Sequence, residues 1–371
     1  MKFLINTITN WYEPPRTRHF VALSLAKKHT VVFVAANHIG MPSLRIDQLI
    51  DNLTVITPSF PIDMRIRYRI PILNAIYQNW LFRELSQTYS DFEVINFDYT
   101  ATRIFRYFRN VVYYCNDSFF EISKHINPFP IAKYHQHCEA LVATRSKFCV
   151  SIASKITEHL SVYNPHILEV PLGSPDISEY SITVHNVPSK QKIIKVVLVA
   201  VIKKLNISYN VINLLLADPD ISLTLIGPVQ RSFLEQISNK DRLTCKGTVY
   251  GKELYEEINA YDVAIAPYCT ETRNEIFSGT GGKIYHYLSL GKPVVISYMS
   301  GLNQMNLQDR LIYVAEKSTD FPALVHRAYE ENTEELIQQR IDYARRNTWD
   351  KRMEDLTAYY ELVNSKSNNS R

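Results

Sequence analysis

Residues 276 to 298, IFSGTGGKIYHYLSLGKPVVISY, carry the chemistry around which the chain is organised. Gly279, Thr280, Gly281 and Gly282 lead into Lys283, and a short helix is expected from about Lys283 to Leu290. Gly291, Lys292 and Pro293 stop it, and Val294 to Ser297 reads as a buried strand. Such a turn brings backbone N–H groups and one ammonium to a phosphate at a helix N-terminus. The expected ligand is a nucleotide diphosphate, and the plain alternative for Lys283 is a surface lysine in a flexible loop. Asp117 is the candidate general base: it lies just past the expected strand Val111 to Cys115. A carboxylate there can take the proton of an attacking hydroxyl in a single displacement. Helix capping is its alternative, although Ser118 and Glu121 already form a capping-box pattern that leaves Asp117 outside the cap. Asp98, at a strand end in Asn96-Phe97-Asp98-Tyr99, competes for the same role. Arg16, Arg18 and His19, in the first βα turn, are candidates for holding an acceptor, with an ordinary polar loop as the alternative.

No metal site is expected. His135 and His137 are two apart, the wrong spacing for one helical face, and the five cysteines make no C-x-x-C or Cys/His ligand pattern. They also suggest no disulfide framework, which points to a reducing cytoplasm. The start of the chain, MKFLINTITNWYEPP, is too short in apolar residues for a signal-peptide core. The longest apolar run, Val196 to Ile202, is far below the ~20 residues that a bilayer requires, so any membrane association is expected to be peripheral.

Net charge is +4, but residues 1 to 116 carry 13 Lys/Arg against 8 Asp/Glu, leaving the remainder near −1. A basic first third suits an anionic membrane face or a phosphate-bearing substrate, and no nucleic-acid partner is expected. Within it, Met64 to Leu73 interleaves Arg65, Arg67 and Arg69 with apolar residues ahead of an aromatic-rich helix containing Tyr77 and Trp80. This reads as a candidate peripheral contact with the inner face of a membrane; an edge strand with its arginines in water is the alternative.

The elements that must position these residues alternate. Strand Lys2 to Ile8, helix Thr17 to Lys28 and strand Thr30 to Ala35 make a βαβ opening, with no glycine in the first turn and so no dinucleotide fingerprint. A helix bearing Arg103, Arg106 and Arg109 is expected ahead of strand Val111 to Cys115. The alternation resumes with the β-branched run Lys195 to Val201. The fold class is therefore α/β, with two Rossmann-like doubly wound domains facing across a cleft. Boundaries are expected at residues 1–178, a linker at 179–192, a second domain at 193–347, a terminal helix at 348–364 packing back on the first domain, and a disordered tail at 365–371.

Two sets of stretches carry a family resemblance. Leu225-Ile226-Gly227-Pro228 is followed by Gly247, by Tyr261-Asp262-Val263-Ala264-Ile265-Ala266-Pro267-Tyr268, and by Gly282-Lys283-Ile284-Tyr285-His286-Tyr287-Leu288-Ser289-Leu290-Gly291-Lys292-Pro293. This succession resembles the donor domain of GT-B glycosyltransferases of the group 1 type found in bacterial polysaccharide assembly. Val112 to Asp117, Cys138 to Ser146 and Val170 to Ser174 are similar to the acceptor domain of the same enzymes. The resemblance implies transfer of a sugar from a UDP- or GDP-sugar to a glycan or lipid-linked acceptor. It implies no metal and no cofactor, the nucleotide-sugar being a substrate. Gly227, Tyr268, Gly281, Gly282, Lys283 and Tyr287 fall at donor-side positions. His286 stands where many relatives carry a ribose-binding glutamate, and Ser278 where retaining members carry a second one, with Glu275 the nearest acid. Loss of that pair favours inversion, with Asp117 as base. A nucleotide-sugar epimerase on the same fold, or a non-catalytic partner subunit of a glycosyltransferase complex, are the alternatives.

Overall fold

The computed structural model describes residues 1–182, 193–270, 281–305 and 310–368. It divides into two compact units, one of Met1–Pro171 together with the chain from Arg352 onward, the other of Leu172–Lys351.

Short runs of β-branched and aromatic residues build the first sheet, whose strands are β1 (Lys2–Asn6), β2 (Thr30–Val34), β3 (His38–Ile39), β4 (Ser43–Ile50), β5 (Leu53–Phe60), β6 (Glu93–Asn96), β7 (Val111–Cys115), β8 (Cys149–Ser151) and β9 (Ile167–Glu169). Their order is β3-β5-β2-β1-β6-β7-β8-β9, with β4 antiparallel to β5 and the other pairings parallel. The order reverses between β1 and β6, which marks their carboxyl ends as the place where an open α/β sheet leaves a crevice. On one side of the sheet Leu4, Val32, Ile56 and Val94 pack with Tyr77, Leu81 and Phe82 of the helix Pro71–Tyr89. The last helix, Trp349–Asn368, continues past the residue-364 end expected from the sequence. Its Tyr360 meets Phe3 and Phe148 edge-on, at 5.6 and 4.9 Å between ring centroids.

The second sheet comprises β10 (Ile194–Val199), β11 (Ile221–Ile226), β12 (Leu243–Lys246), β13 (Val263–Ala266), β14 (Val294–Ser297) and β15 (Ile312–Ala315). It is parallel throughout, in the order β12-β11-β10-β13-β14-β15, so the reversal falls between β10 and β13. Val196, Leu198, Leu223, Val263 and Ile265 form its core with Ile212 and Leu215 of the helix Tyr209–Ala217.

Two sequence expectations fail here. The Arg103, Arg106 and Arg109 segment holds only a single 3-10 turn, Ile104–Arg106, rather than a helix displaying three arginines on one face. The segment around Arg67 is neither strand nor free surface: Met64–Arg67 is a short helix started by Asp63, whose carboxylate accepts from the Arg65 N–H at 2.7 Å. Arg67 turns inward and is 2% exposed. Its guanidinium donates to Asn74 Oδ1 at 2.7 Å and to Asn37 Oδ1 at 3.1 and 3.2 Å, and lies 3.9 Å from the centre of the Tyr77 ring. A helical backbone separates residues two apart by about 200°, so Arg65 and Arg69 stay outside while Arg67 enters the core.

Arg67→Ala should therefore lower stability by about 2–4 kcal/mol, because it strands the buried amide oxygen of Asn74 and the half-buried one of Asn37 and empties the space over Tyr77. Arg65→Ala and Arg69→Ala should change it by less than about 0.5 kcal/mol. Urea unfolding of the three variants checks this, and equal effects would contradict the inward placement of Arg67.

Candidate functional site

In the second unit the candidate residues gather at the carboxyl ends of the strands. Gly227 ends β11 with φ +120°, and a Cβ there would overlap the Ala200 carbonyl oxygen. Its N–H donates to the carbonyls of Lys246 and Gly247 at 3.2 and 3.1 Å. Only glycine fits such a backbone, so Gly227 shapes the strand end. Tyr268 follows β13, and its carbonyl accepts from Ser297 Oγ at the end of β14 at 3.0 Å. Gly281 has φ +73°, and a Cβ on it would come within 3.0 Å of the Tyr268 hydroxyl. Lys283 opens the helix Lys283–Ser289; its Nζ donates to the Tyr268 hydroxyl at 3.0 Å and sits 4.5 Å from the ring centre. Tyr268, Gly281 and Lys283 are thus brought together, with Gly282 between them in sequence and half-buried. Glu275, with Ser278, Gly279 and Thr280, lies outside the described residues.

Two further donor-side candidates are already engaged. Tyr287 is fully buried and its hydroxyl accepts the Val199 N–H at 2.9 Å, so it secures the end of β10 rather than facing a ligand. His286 stacks on Tyr255, with Nδ1 2.8 Å from that hydroxyl. Burial, and then the ammonium of Lys283, hold its imidazole down at about 4, so it is neutral at pH 7.

A hollow of about 150 Å³ opens beside Tyr268, lined also by Lys204, Ser208, Ser297 and Lys317. It adds two ammonium groups that sequence reasoning passed over, one in the loop after β10 and one just beyond β15. Their position after strands of a parallel sheet was the available signal.

In the first unit, helix Thr17–Ala26 turns Arg18, Ala22 and Leu25 inward and leaves Leu23 at the surface. Arg18 is 7% exposed and clamps the ends of two strands: Nη1 donates to Thr9 Oγ1 at 2.6 Å, and Nη2 to Asn116 Oδ1 at 3.3 Å. Its Nε is buried without a partner in the described structure, and burial lowers its pKa. Asp117 sits beside it. Its carboxyl reaches water, and Oδ1 accepts the Ser118 N–H at 3.0 Å. The carboxylate is therefore not clear of the start of helix Phe119–Ile126, as the capping-box reading supposed, and Ser118 makes no side-chain cap bond. Crowding by surrounding protein pushes the Asp117 carboxyl up to about 6, against the lowering by Ser118 N–H and by Arg18. Asp98, by contrast, is 5% exposed and spends Oδ1 on the Thr100 N–H and hydroxyl, both at 2.8 Å. Asp117 is the more open of the two carboxylates.

The other acceptor candidates divide. Arg16 is exposed and paired with Glu13 at 2.8 Å. His19 is buried with both ring nitrogens engaged: Nδ1 accepts the Arg16 N–H at 3.1 Å, so Nε2 carries the proton toward the carbonyls of Asn10 and Trp11 at 3.1 and 3.2 Å. It braces the first turn and has no nitrogen left for an acceptor. Among the described residues, no three His, Cys, Asp or Glu side chains group as metal ligands.

Within the second unit, residues 192–331 match the model of glycosyl transferases group 1. The chain carries a group 1 glycosyltransferase domain. A search of the curated proteins finds no match. Solved structures align over nearly the whole chain. Sucrose-phosphate synthase (tll1590) from Thermosynechococcus elongatus matches with TM-score 0.74 at 9% identity, covering 98% of this chain and 99% of that one. Anabaena Alr3699/HepE in complex with UDP and glucose gives 0.71 at 13%, covering 97% and 99%. WaaG, a glycosyltransferase involved in lipopolysaccharide biosynthesis, gives 0.66 at 13%, covering 95% and 98%. At such identities the likeness establishes the shared fold, GT-B, with two α/β domains of parallel sheet.

Within the glycosyltransferase domain, neutral His286 makes a titration prediction. The unfolded imidazole takes up its proton near pH 6.5 and the folded one near 4. Between those values the unfolded chain binds more protons, so stability falls as pH falls through that window. His286→Gln should flatten that part of the stability–pH curve, and nuclear magnetic resonance should show the His286 ring neutral from pH 8 to 5.5. A His286 ring that titrates near 6.5 would contradict its placement against Tyr255 and Lys283.

Proposed function

We propose that this protein transfers a sugar from a UDP-sugar to a hydroxyl of a glycan or lipid-linked acceptor, with no bound metal. The observation that carries the reading is the group 1 domain over residues 192–331, with Lys283, Gly281 and Tyr268 convergent at its strand ends. HepE, solved with UDP and glucose and also with UDP-glucose, supports uridine over guanosine for the donor. WaaG supports an acceptor in cell-surface polysaccharide assembly.

In this reading Lys283 leaves the Tyr268 hydroxyl for the donor diphosphate, and an ion pair with phosphate replaces a bond to a neutral hydroxyl. Lys204 and Lys317 add positive charge around the leaving group, the role that a metal fills in other transferases. Arg18 and Arg16 hold the acceptor, and Asp117 takes the proton of its attacking hydroxyl, giving inversion. A carboxyl pushed up to about 6 is ionised at pH 7 yet basic enough to accept that proton. The proposed setting is cytoplasmic, where the free thiols of Cys115, Cys138 and Cys149 persist. A second reading, a non-catalytic partner subunit, is favoured by one observation: His286 is committed to Tyr255 and stands where relatives place a glutamate.

Thermal unfolding with UDP, and transfer assays with UDP-sugars, separate the two readings. Lys283→Ala should weaken UDP binding about 10- to 100-fold, the worth of one charged hydrogen bond. Asp117→Asn should keep the UDP-induced shift but lose at least about 100-fold in kcat, and native kcat/KM should fall about tenfold per pH unit below 6. Unchanged transfer by Asp117→Asn would remove it as base; UDP binding with no turnover of any UDP-sugar would favour the partner subunit.

A further inference from the structure

The inward turn of Arg67 leaves a ridge of isoleucines outside. With Arg67 pinned to Asn37, Asn74 and Tyr77, the flanking Ile66 and Ile70 face outward, as do Ile72 and Ile76 on the first two turns of the following helix. Ile72 is 68% and Ile76 51% exposed, one helical turn apart on one face. The helix Phe129–Arg145 is tied to the same segment, since His135 Nε2 lies 2.9 Å from the Tyr68 carbonyl and Nδ1 3.0 Å from Ser123 Oγ. Just ahead of that tie, Ile126 and Phe129 are 64% and 78% exposed. Single exposed apolar residues are ordinary, but four isoleucines within eleven residues on an anchored ridge are not.

Charge selects the occupant. Arg65 and Arg69 are exposed on the same ridge, and residues 1 to 116 carry a surplus of five positive charges. Apolar side chains flanked by cations fit the boundary between acyl chains and anionic headgroups, where the isoleucines insert and the guanidinium groups stay with phosphate. A second copy of this chain would oppose arginine to arginine. Among the described residues no helix is long and apolar enough to cross a membrane.

We infer that the ridge Arg65–Ile76 docks the protein on an anionic lipid surface. The inference rests on, and deepens, the reading of a lipid-linked acceptor: docking brings the enzyme to an acceptor that is itself held in the membrane. It also replaces the sequence-based contact through Arg65, Arg67 and Arg69, since Arg67 serves as the anchor beneath the ridge and the isoleucines make the contact.

The test is co-sedimentation of the full chain with vesicles of phosphatidylcholine containing about one-third phosphatidylglycerol, at low salt. Native protein should bind these vesicles and bind pure phosphatidylcholine about tenfold less. Ile72→Asp/Ile76→Asp and Arg65→Glu/Arg69→Glu should each reduce binding about tenfold, with unfolding midpoint and UDP-induced shift unchanged. Because UDP binding is read separately, failure of the donor reading leaves this result intact, and the reverse also holds. Absence of native binding to anionic vesicles overturns the inference, as does equal binding by the variants. A dimer in light scattering that Ile72→Asp/Ile76→Asp dissolves would overturn it in favour of a second copy.

Discussion

The candidate donor side of this protein depends on one hydrogen bond at the reversal of the second sheet. β10 pairs with β13 only at Val196 and Val197, and the N–H of half-buried Val199 goes instead to the hydroxyl of fully buried Tyr287. A buried N–H without a partner is costly, so this bond fixes helix Lys283–Ser289 against the end of the central strand. Lys283 is one turn earlier on that helix, and its ammonium consequently lies over Tyr268. Gly281 lets the preceding loop pass close to the same ring. Local sequence, strand end and the Lys283 ammonium are linked through a tyrosine whose hydroxyl is already bonded to the backbone.

The first unit solves the same problem with different chemistry. Its sheet reverses between β1 and β6, where Asn6 Nδ2 donates to Asn96 Oδ1 at 2.8 Å across the two strands. Arg18 then bridges the loops after β1 and β7 through Thr9 and Asn116. A guanidinium buried against neutral oxygens is expensive to keep charged, and such expense is commonly met where a charge is wanted for a ligand. The result is a fixed cation beside an accessible carboxylate, Asp117, whose basicity is raised by its surroundings.

Much of this was legible in the sequence, and the failures have physical causes. The buried strands β7 and β14 read correctly because continuous apolar runs between turn residues are what a doubly covered parallel sheet demands. Gly281 and the helix start at Lys283 were legible because a left-handed backbone just ahead of a helix favours glycine. β4 was invisible: Ser43–Ile50 is an exposed edge with mixed polar content and no face to bury. Arg67 was misplaced because Arg-x-Arg-x-Arg imitates a period of two, whereas the chain there is helical. His19 and Tyr287 sat among candidate ligands because sequence shows polar atoms without showing that each is already satisfied by a neighbour's backbone.

The central claim is that a nucleotide diphosphate is held where Gly281, Gly282 and Lys283 meet Tyr268. A crystal structure of the protein with UDP tests it most directly. The account predicts that the diphosphate lies within about 3 Å of Lys283 Nζ, with the Tyr268–Lys283 hydrogen bond broken to make room. UDP ordered at another place, with Lys283 still bonded to Tyr268, would contradict it.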